Sequence, residues 1–435
     1  MNTSSIVIDL DEEDDFIYVV VKVVCSRQRK RRCLCDGKGR VFRPRLQWNV
    51  HIELLLLEGE FDRTFRMRPS SLEKLLQKIA PSLSKPTSVH GTFGVEFLKP
   101  ETSVMMSLRW LAGGSYSDIR LVAGCSVATF YRHIWEVMHA LIKNMSYLLR
   151  WPATRFDFQQ LVEGFASKSN REAMKGCVFA VDGWLCMIKV PSEAEVGCVK
   201  EYYSGHYKCY GLNVQVACDV HSRVIWVSVI CPGGTNDWNA FKESSLPELI
   251  ENLPDSLFGV GDNAYVGSDK LLSPFTKAQL SNKYQDSFNF HLSQCRIRIE
   301  MTLAYLVTKW RIFKKPLECD FVNHKVVIFA CMILHNFCVN ERLLRDPQFK
   351  ITSADIEPVP LPNPVRGGHT EEEMGYLPSD QICRITPLRN IPGVSLKRSM
   401  IVHNLELNNI LRPSYNIARK EKKKHLALHI LLSCL

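Results

Sequence analysis

Three carboxylates occupy positions from which they could hold divalent metal. Asp182 directly follows Cys177-Val178-Phe179-Ala180-Val181, a continuous apolar run of the kind a strand buried on both faces needs. Asp262 follows the shorter run Leu257 to Val260, in Val260-Gly261-Asp262-Asn263-Ala264-Tyr265. Open α/β sheets place their active groups at the carboxyl ends of strands. A buried carboxylate is costly unless a cation pairs with it, so two at neighbouring strand ends imply a metal. The third acid, Glu300, stands in Gln294-Cys295-Arg296-Ile297-Arg298-Ile299-Glu300. It lies about 100° round a helix from Ile299, at the edge of the stripe Ile299, Leu303, Leu306, Trp310 and Phe313. The alternative for Glu300 is a plain i,i+4 ion pair with Arg296, worth about 0.3 kcal/mol and needing no function. Three carboxylates from two strands and a helix can hold two Mg²⁺ or Mn²⁺ ions about 3.5–4 Å apart, which activate a water or sugar 3′-hydroxyl and neutralise a leaving oxygen. The bases around Glu300, among them Arg296, Lys309 and Arg311, suit a polyanionic strand such as DNA.

These acids need a sheet and a helix to carry them. Leu212, Val214 and Val216 alternate with Asn213 and Gln215, which predicts a half-buried strand. Val224 to Ile230 predicts another, closed by Pro232-Gly233-Gly234. Helical spacing runs over Trp238 to Ile250 and again from about 293 to 314. Three strands, helix, strand, helix describe an α/β domain over 170–340. Asp237 is read here as the cap of the helix that begins near Trp238, ahead of any part in a metal site. Asp219 is expected in a turn with His221 and Ser222, His206 in an exposed loop, and Tyr265 as packing beside Asp262. His335 and Asn336 are expected as buried hydrogen-bonding groups.

Ahead of that domain, residues 46–150 are helical. Leu72, Leu75, Leu76 and Ile79 mark one buried face, with Pro81 and Pro86 breaking the helix. Val104, Leu108 and Leu111 mark a second helix that stops at Gly113-Gly114. A short segment Ser117 to Ala123, a turn at Gly124 and a long helix capped by Ser126 give the outline of a helix-turn-helix. Arg132 and His133 on that long helix are the expected DNA contacts.

Both ends differ in character. Residues 9–15 are acidic and residues 26–45 basic, so 1–45 is expected to be a flexible charged tail, whose run Arg27, Arg29, Lys30, Arg31, Arg32 suits nuclear import or phosphate contact. Past 340 periodicity fades through Pro358, Pro360, Pro362 and Pro364, and 341–435 is expected to be a partly flexible extension. The chain has 435 residues, a net charge of +10 and 16 cysteines without a Cys-x-x-Cys pair, which disfavours zinc modules and disulfide scaffolds. Neither a Walker-type phosphate loop nor a Gly-x-Ser-x-Gly elbow occurs. No apolar run reaches the roughly 18–20 residues of a membrane span, and the acidic start is unlike a signal peptide, so no membrane association or export is expected.

The stretch from about 100 to 340 resembles the PIF/Harbinger-type DDE transposases and the nucleases derived from them. The resemblance rests on Leu108-Arg109-Trp110-Leu111-Ala112-Gly113-Gly114, Val181-Asp182-Gly183 and Tyr210-Gly211-Leu212-Asn213-Val214-Gln215. It continues through Pro232-Gly233-Gly234-Thr235-Asn236-Asp237, Gly261-Asp262-Asn263-Ala264-Tyr265, Arg296-Ile297-Arg298-Ile299-Glu300 and Leu334-His335-Asn336-Phe337. It implies an RNase H-like mixed sheet flanked by helices, with a DNA-binding helical segment in front. It further implies a DDE triad of Asp182, Asp262 and Glu300, double-stranded DNA as substrate, nuclear location, and a separate Myb-like DNA-binding protein as partner. Two positions depart from the family pattern: Asn236 replaces the usual His, and Leu303-Ala304-Tyr305-Leu306 replaces Phe-Gly-x-Leu.

Three functional classes compete on this basis. They are a metal-dependent DNA endonuclease/transposase, a DNA-binding protein that keeps the fold without cutting, and an interaction scaffold. The intact triad favours the first.

Overall fold

The computed structural model describes residues 46–83, 98–356 and 395–413. The charged tail over 1–45, the proline-rich stretch after 356 and the basic block 419–424 lie outside the described residues.

The chain begins with helices α1 (Trp48–Leu57), α2 (Phe61–Phe65), α3 (Pro69–Leu83), α4 (Pro100–Leu111), α5 (Tyr116–Val122) and α6 (Val127–Met145). In α3 the stripe Leu72, Leu75 and Ile79 is buried, and the helix runs two residues past Pro81 rather than breaking there. The missing Pro81 N–H falls in the last turn, where little helix remains to be disrupted. α4 ends as its sequence requires: Gly113 takes φ +93°, and Gly114 N donates to Arg109 O at 2.9 Å. Gly124 at φ +64° turns the chain into α6, whose cap Ser126 accepts from Thr129 N at 3.1 Å. The stripe Phe130, Ile134, Val137, Met138 and Leu141 is buried against α3, α4 and a later core helix.

After α7 (Arg155–Ala166), the strands β1 (Cys177–Met187), β2 (Tyr203–Ser204), β3 (Cys209–Cys218), β4 (Val224–Pro232), β5 (Phe258–Val260) and β6 (Leu271–Leu272) form one six-stranded sheet. Its path is β2-β3-β1-β5-β6, with β4 also on β3. β1 pairs antiparallel with β3 and parallel with β5, and β3 pairs antiparallel with β4. The intervening helices are α8 (Glu193–Val196), α9 (Asp237–Glu243) and α10 (Leu246–Glu251); after β6 come α11 (Lys283–Lys309), α12 (His324–Arg345) and α13 (Leu396–Leu407). One sheet face packs on α7, α9 and α10 through Phe179, Val181, Trp226, Phe241 and Leu246. The other packs on α11 and α12 through Val214, Val216, Val260, Ile299 and Leu306, and this core continues into the helical segment through Phe130 and Met138. The architecture is a mixed α/β RNase H-like sheet flanked by helices.

Several elements depart from the expected bounds. β1 does not end before Asp182 but runs on to Met187, because Gly183 to Met187 pair with Gly211 to Gln215 of β3. The helical stretch after β4 is two helices, and α11 starts ten residues before 293. α12 with the 3₁₀ turn before it, Phe321–Arg345, is long and apolar enough to cross a membrane, but most of it is buried inside the protein as a core helix. Within the C-terminal extension α13 docks on α11 with Ile401 and Leu405 buried, and just ahead of it Ser395 Oγ donates to Asp269 Oδ1, in the segment before β6, at 2.8 Å.

Candidate active site

The register of two parallel strands brings the aspartates together. The last pair of β1 with β5 is Ala180 with Val260, and Asp182 and Asp262 each stand two residues beyond it. Residues two apart on a strand share a face, and neighbouring strands lie about 4.8 Å apart. The two carboxyl groups therefore share one side of the sheet, where β5 has ended and β1 continues on β3 alone. Burial, followed by the charge of Asp262, raises the Asp182 carboxyl to about 7, with Arg296 and the Gly183 N–H opposing. Burial likewise raises Asp262, against a hydrogen bond from Ala264 N and the pull of Arg296.

α11 lays its buried residues Cys295, Ile299 and Leu303 on the sheet, which brings Arg296 and Glu300 to the rim of the aspartate pair. Arg296 Nη2 is ion-paired with Glu300 Oε1, while Nη1 lies 3.5 Å from Asp182 Oδ2. The i,i+4 pair expected as the alternative for Glu300 thus exists, yet its guanidinium also reaches the first aspartate. Arg296 thus stands between Asp182 and Glu300, and its charge and that of Glu300 also act on Asp262. Among the described residues, no three His, Cys, Asp or Glu side chains are gathered at metal-ligand spacing.

A fourth acid joins this group. The cap of α9 is Asn236, whose Oδ1 accepts from Asn239 N at 2.8 Å, so Asp237 is not the cap. Asp237 Oδ1 instead accepts from Asn213 Nδ2 and Gln215 Nε2, each at 3.0 Å. Gln215 Oε1 in turn accepts from the Tyr265 hydroxyl at 2.6 Å, which ties the loop carrying Asp262 to the same network. Gly183 leaves the room for it: a Cβ there would stand 1.9 Å from Asp237 Oδ1. The charge of Asp237 raises both Asp182 and Asp262. Asn213 and Gln215, expected on the wet face of a half-buried strand, are buried because this network uses their amides. At the mouth of the site stands half-exposed Tyr207, whose phenol is pushed up by burial and then by Asp237, Asp182 and Asp262.

The expected DNA contacts scatter. Arg132 is exposed on α6 and shares a surface groove with His139 and Lys143. His133 is turned towards α4, with Nδ1 2.9 Å from Ser103 Oγ and 3.4 Å from Glu136 Oε2. Lys309 is buried and lies two and a half turns from Glu300, on the opposite side of α11. Arg311 is exposed and packs on the turn after α4, its Cβ 3.0 Å from where a Gly113 Cβ would be. The residues assigned to structure stay structural: Asp219 accepts from His221 N and Arg223 N at 2.8 Å, His335 Nε2 lies 2.8 Å from Ser222 O, and Asn336 bridges Val224 and Leu148.

Comparison with known proteins concerns the same part of the chain. The profile of the DDE superfamily endonuclease family matches residues 181–336, a span that contains all three acids of the expected triad. The rat protein named "Putative nuclease HARBI1" is 26% identical over 267 residues, covering 60% of this chain and 72% of its own length. Its human counterpart of the same name is 25% identical over the same shares. No solved structure gives a significant match. Residues 181–336 thus match the DDE superfamily endonuclease family, and the relatives found carry the name of a nuclease.

Proposed function

We propose that the chain is a metal-dependent DNA endonuclease/transposase in which Asp182, Asp262 and Glu300 hold two divalent cations, Mg²⁺ or Mn²⁺. The observation that carries this reading is the register that sets Asp182 beside Asp262, opposite Arg296 and Glu300 of α11. The donor chemistry suits a metal: carboxylate oxygens suit hard cations, and the Asp182 carboxyl, raised to about 7 by burial and by Asp262, would be relieved by one once the acids draw together from their metal-free spacing. Cations at such a centre lower the pKa of a water or sugar 3′-hydroxyl and neutralise charge on the leaving oxygen. Arg296 holds Asp182 and Glu300 together without metal, and its guanidinium can turn to a phosphate oxygen of the substrate. Tyr207 at the mouth offers a ring for a base or sugar. Arg132, His139 and Lys143 of α6 supply sequence-independent phosphate contacts.

Double-stranded DNA as substrate, nuclear location and a Myb-like partner belong to the same proposal. They rest on the family resemblance and on the basic run Arg27 to Arg32. One observation favours the second reading, a DNA-binding protein that no longer cuts: Arg296 already neutralises two of the acids.

Nicking of supercoiled plasmid separates the two readings. We expect Mg²⁺- or Mn²⁺-dependent nicking by the wild type. Glu300→Gln keeps the side-chain size and removes the charge, so nicking should fall by orders of magnitude while DNA binding survives. Near-normal nicking by Glu300→Gln would refute the triad, and a wild type inert in both metals would leave the second reading.

A further inference from the structure

On the far side of α11 from the aspartates, a cavity of about 400 Å³ lies where the junction of α2 and α3 meets α11 and α12. Five basic residues line it, Arg66, Arg68, Lys309, Arg342 and Arg345, against three acidic ones. The acids are largely engaged. Buried Glu341 accepts Lys74 Nζ at 2.9 and 3.1 Å and Ser71 Oγ at 3.2 Å, so a lysine outside the lining neutralises it. Asp62 lies 4.0 Å from Arg68, and Asp346 Oδ1 accepts Gln348 N at 3.0 Å.

The cations are less well served. Lys309 is 8% exposed, and among the described residues its Nζ reaches one hydrogen-bond partner, the neutral phenol of Tyr305 at 3.4 Å. Lys309 and Arg342 both lie 5.4 Å from the centroid of that same ring, two like charges on one aromatic group. Arg342 has Asp355 at 3.1 Å, whereas among the described residues Arg345 reaches the hydroxyl of Ser71 alone, at 3.4 Å. A buried ammonium with a neutral partner and a like charge beside it costs free energy that an anion in the cavity would offset. Guanidinium forks from several directions with an ammonium between them match the oxygens of a phosphate better than a planar carboxylate.

We propose that this cavity is a phosphate-binding site, taking a phosphate group from a DNA backbone or from a soluble phosphate compound. It stands apart from the DDE centre and does not depend on cleavage.

The test uses the full-length protein in EDTA, with inorganic phosphate and pyrophosphate as probes. Thermal unfolding is followed at constant ionic strength, with chloride replaced stepwise by the probe. The Tm of the wild type should rise and saturate, and Lys309→Met and Arg345→Gln should each weaken the apparent affinity at least tenfold. Arg345 is exposed, so its variant guards against a fold failure of the buried one. No rise in the wild type, or the same rise in all three proteins, overturns the proposal. The salt dependence of binding to a short DNA duplex then identifies the source. A slope lowered by about 0.9 in Arg345→Gln assigns the site to a backbone phosphate. An unchanged slope with lost phosphate binding assigns it to a soluble compound.

Discussion

Asp182→Asn separates the electrostatic cost of the carboxylate centre from its use. The Asp182 carboxyl is raised from 3.8 to about 7 by burial and by Asp262, so the folded chain binds this proton more tightly than the unfolded one. For a group of that sign, stability is lost as pH climbs from about 4 through 7. Each pKa unit corresponds to about 1.4 kcal/mol, which bounds the loss above pH 7 at roughly 4 kcal/mol. The asparagine keeps the hydrogen bond from Gly183 N, 2.9 Å in the wild type, but gives up the 3.5 Å contact with Arg296, which stays paired with Glu300. A net gain of about 1–3 kcal/mol at pH 8 follows.

The assay is urea unfolding in EDTA at pH 4, 6 and 8, with wild type and variant in parallel. The variant should be the more stable at pH 8, and the difference should shrink as the pH falls to 4, where the folded wild type is protonated at Asp182 and the unfolded chain begins to be. Saturating Mg²⁺ should then reverse the order, because a ligand of the native state stabilises the protein that binds it. Parallel pH profiles for the two proteins, or an equal response to Mg²⁺, would show that Asp182 is neither strained by its neighbours nor a ligand.

Asp237→Asn keeps an oxygen for Asn213 and Gln215 while removing the charge beside Asp182, so stability should change by less than about 1 kcal/mol and metal-dependent nicking should drop at least tenfold; unchanged nicking would leave Asp237 a structural acceptor. Arg132→Ala should lower the salt slope of DNA binding by about 0.9 without altering nicking chemistry, and an unchanged slope would remove α6 from the DNA interface. Ser126→Ala should cost about 1 kcal/mol of unfolding free energy, since Thr129 N loses its acceptor.

Some of this site is legible in the chain because hydrophobic burial has a direction. A run such as Cys177 to Val181 is apolar at every position, so it belongs between two layers, and the acid after it falls where the layers part. The same logic hides the rest of β1: Trp184 and Leu185 are half-buried, and a mixed segment looks like a loop until β3 is beside it. Asp237 is hidden for a different reason. Asn236 and Asp237 can both cap a helix, and the sequence does not say which one turns inward. A signal was nevertheless present two strands earlier. Asn213 and Gln215 share one face of β3, and a strand of a sheet with helices packed on both faces exposes neither, so their amides need buried partners. A free carboxylate and a tyrosine hydroxyl near the other acids are the partners available. Lys309 could have been placed from helix geometry alone. Nine residues after Glu300 is half a turn out of phase, so one DNA strand at the carboxylates cannot also be the natural partner of that lysine. Basic composition brought Arg296, Lys309 and Arg311 into one group; helix phase divides them among the acids, a cavity behind α11 and the turn after α4.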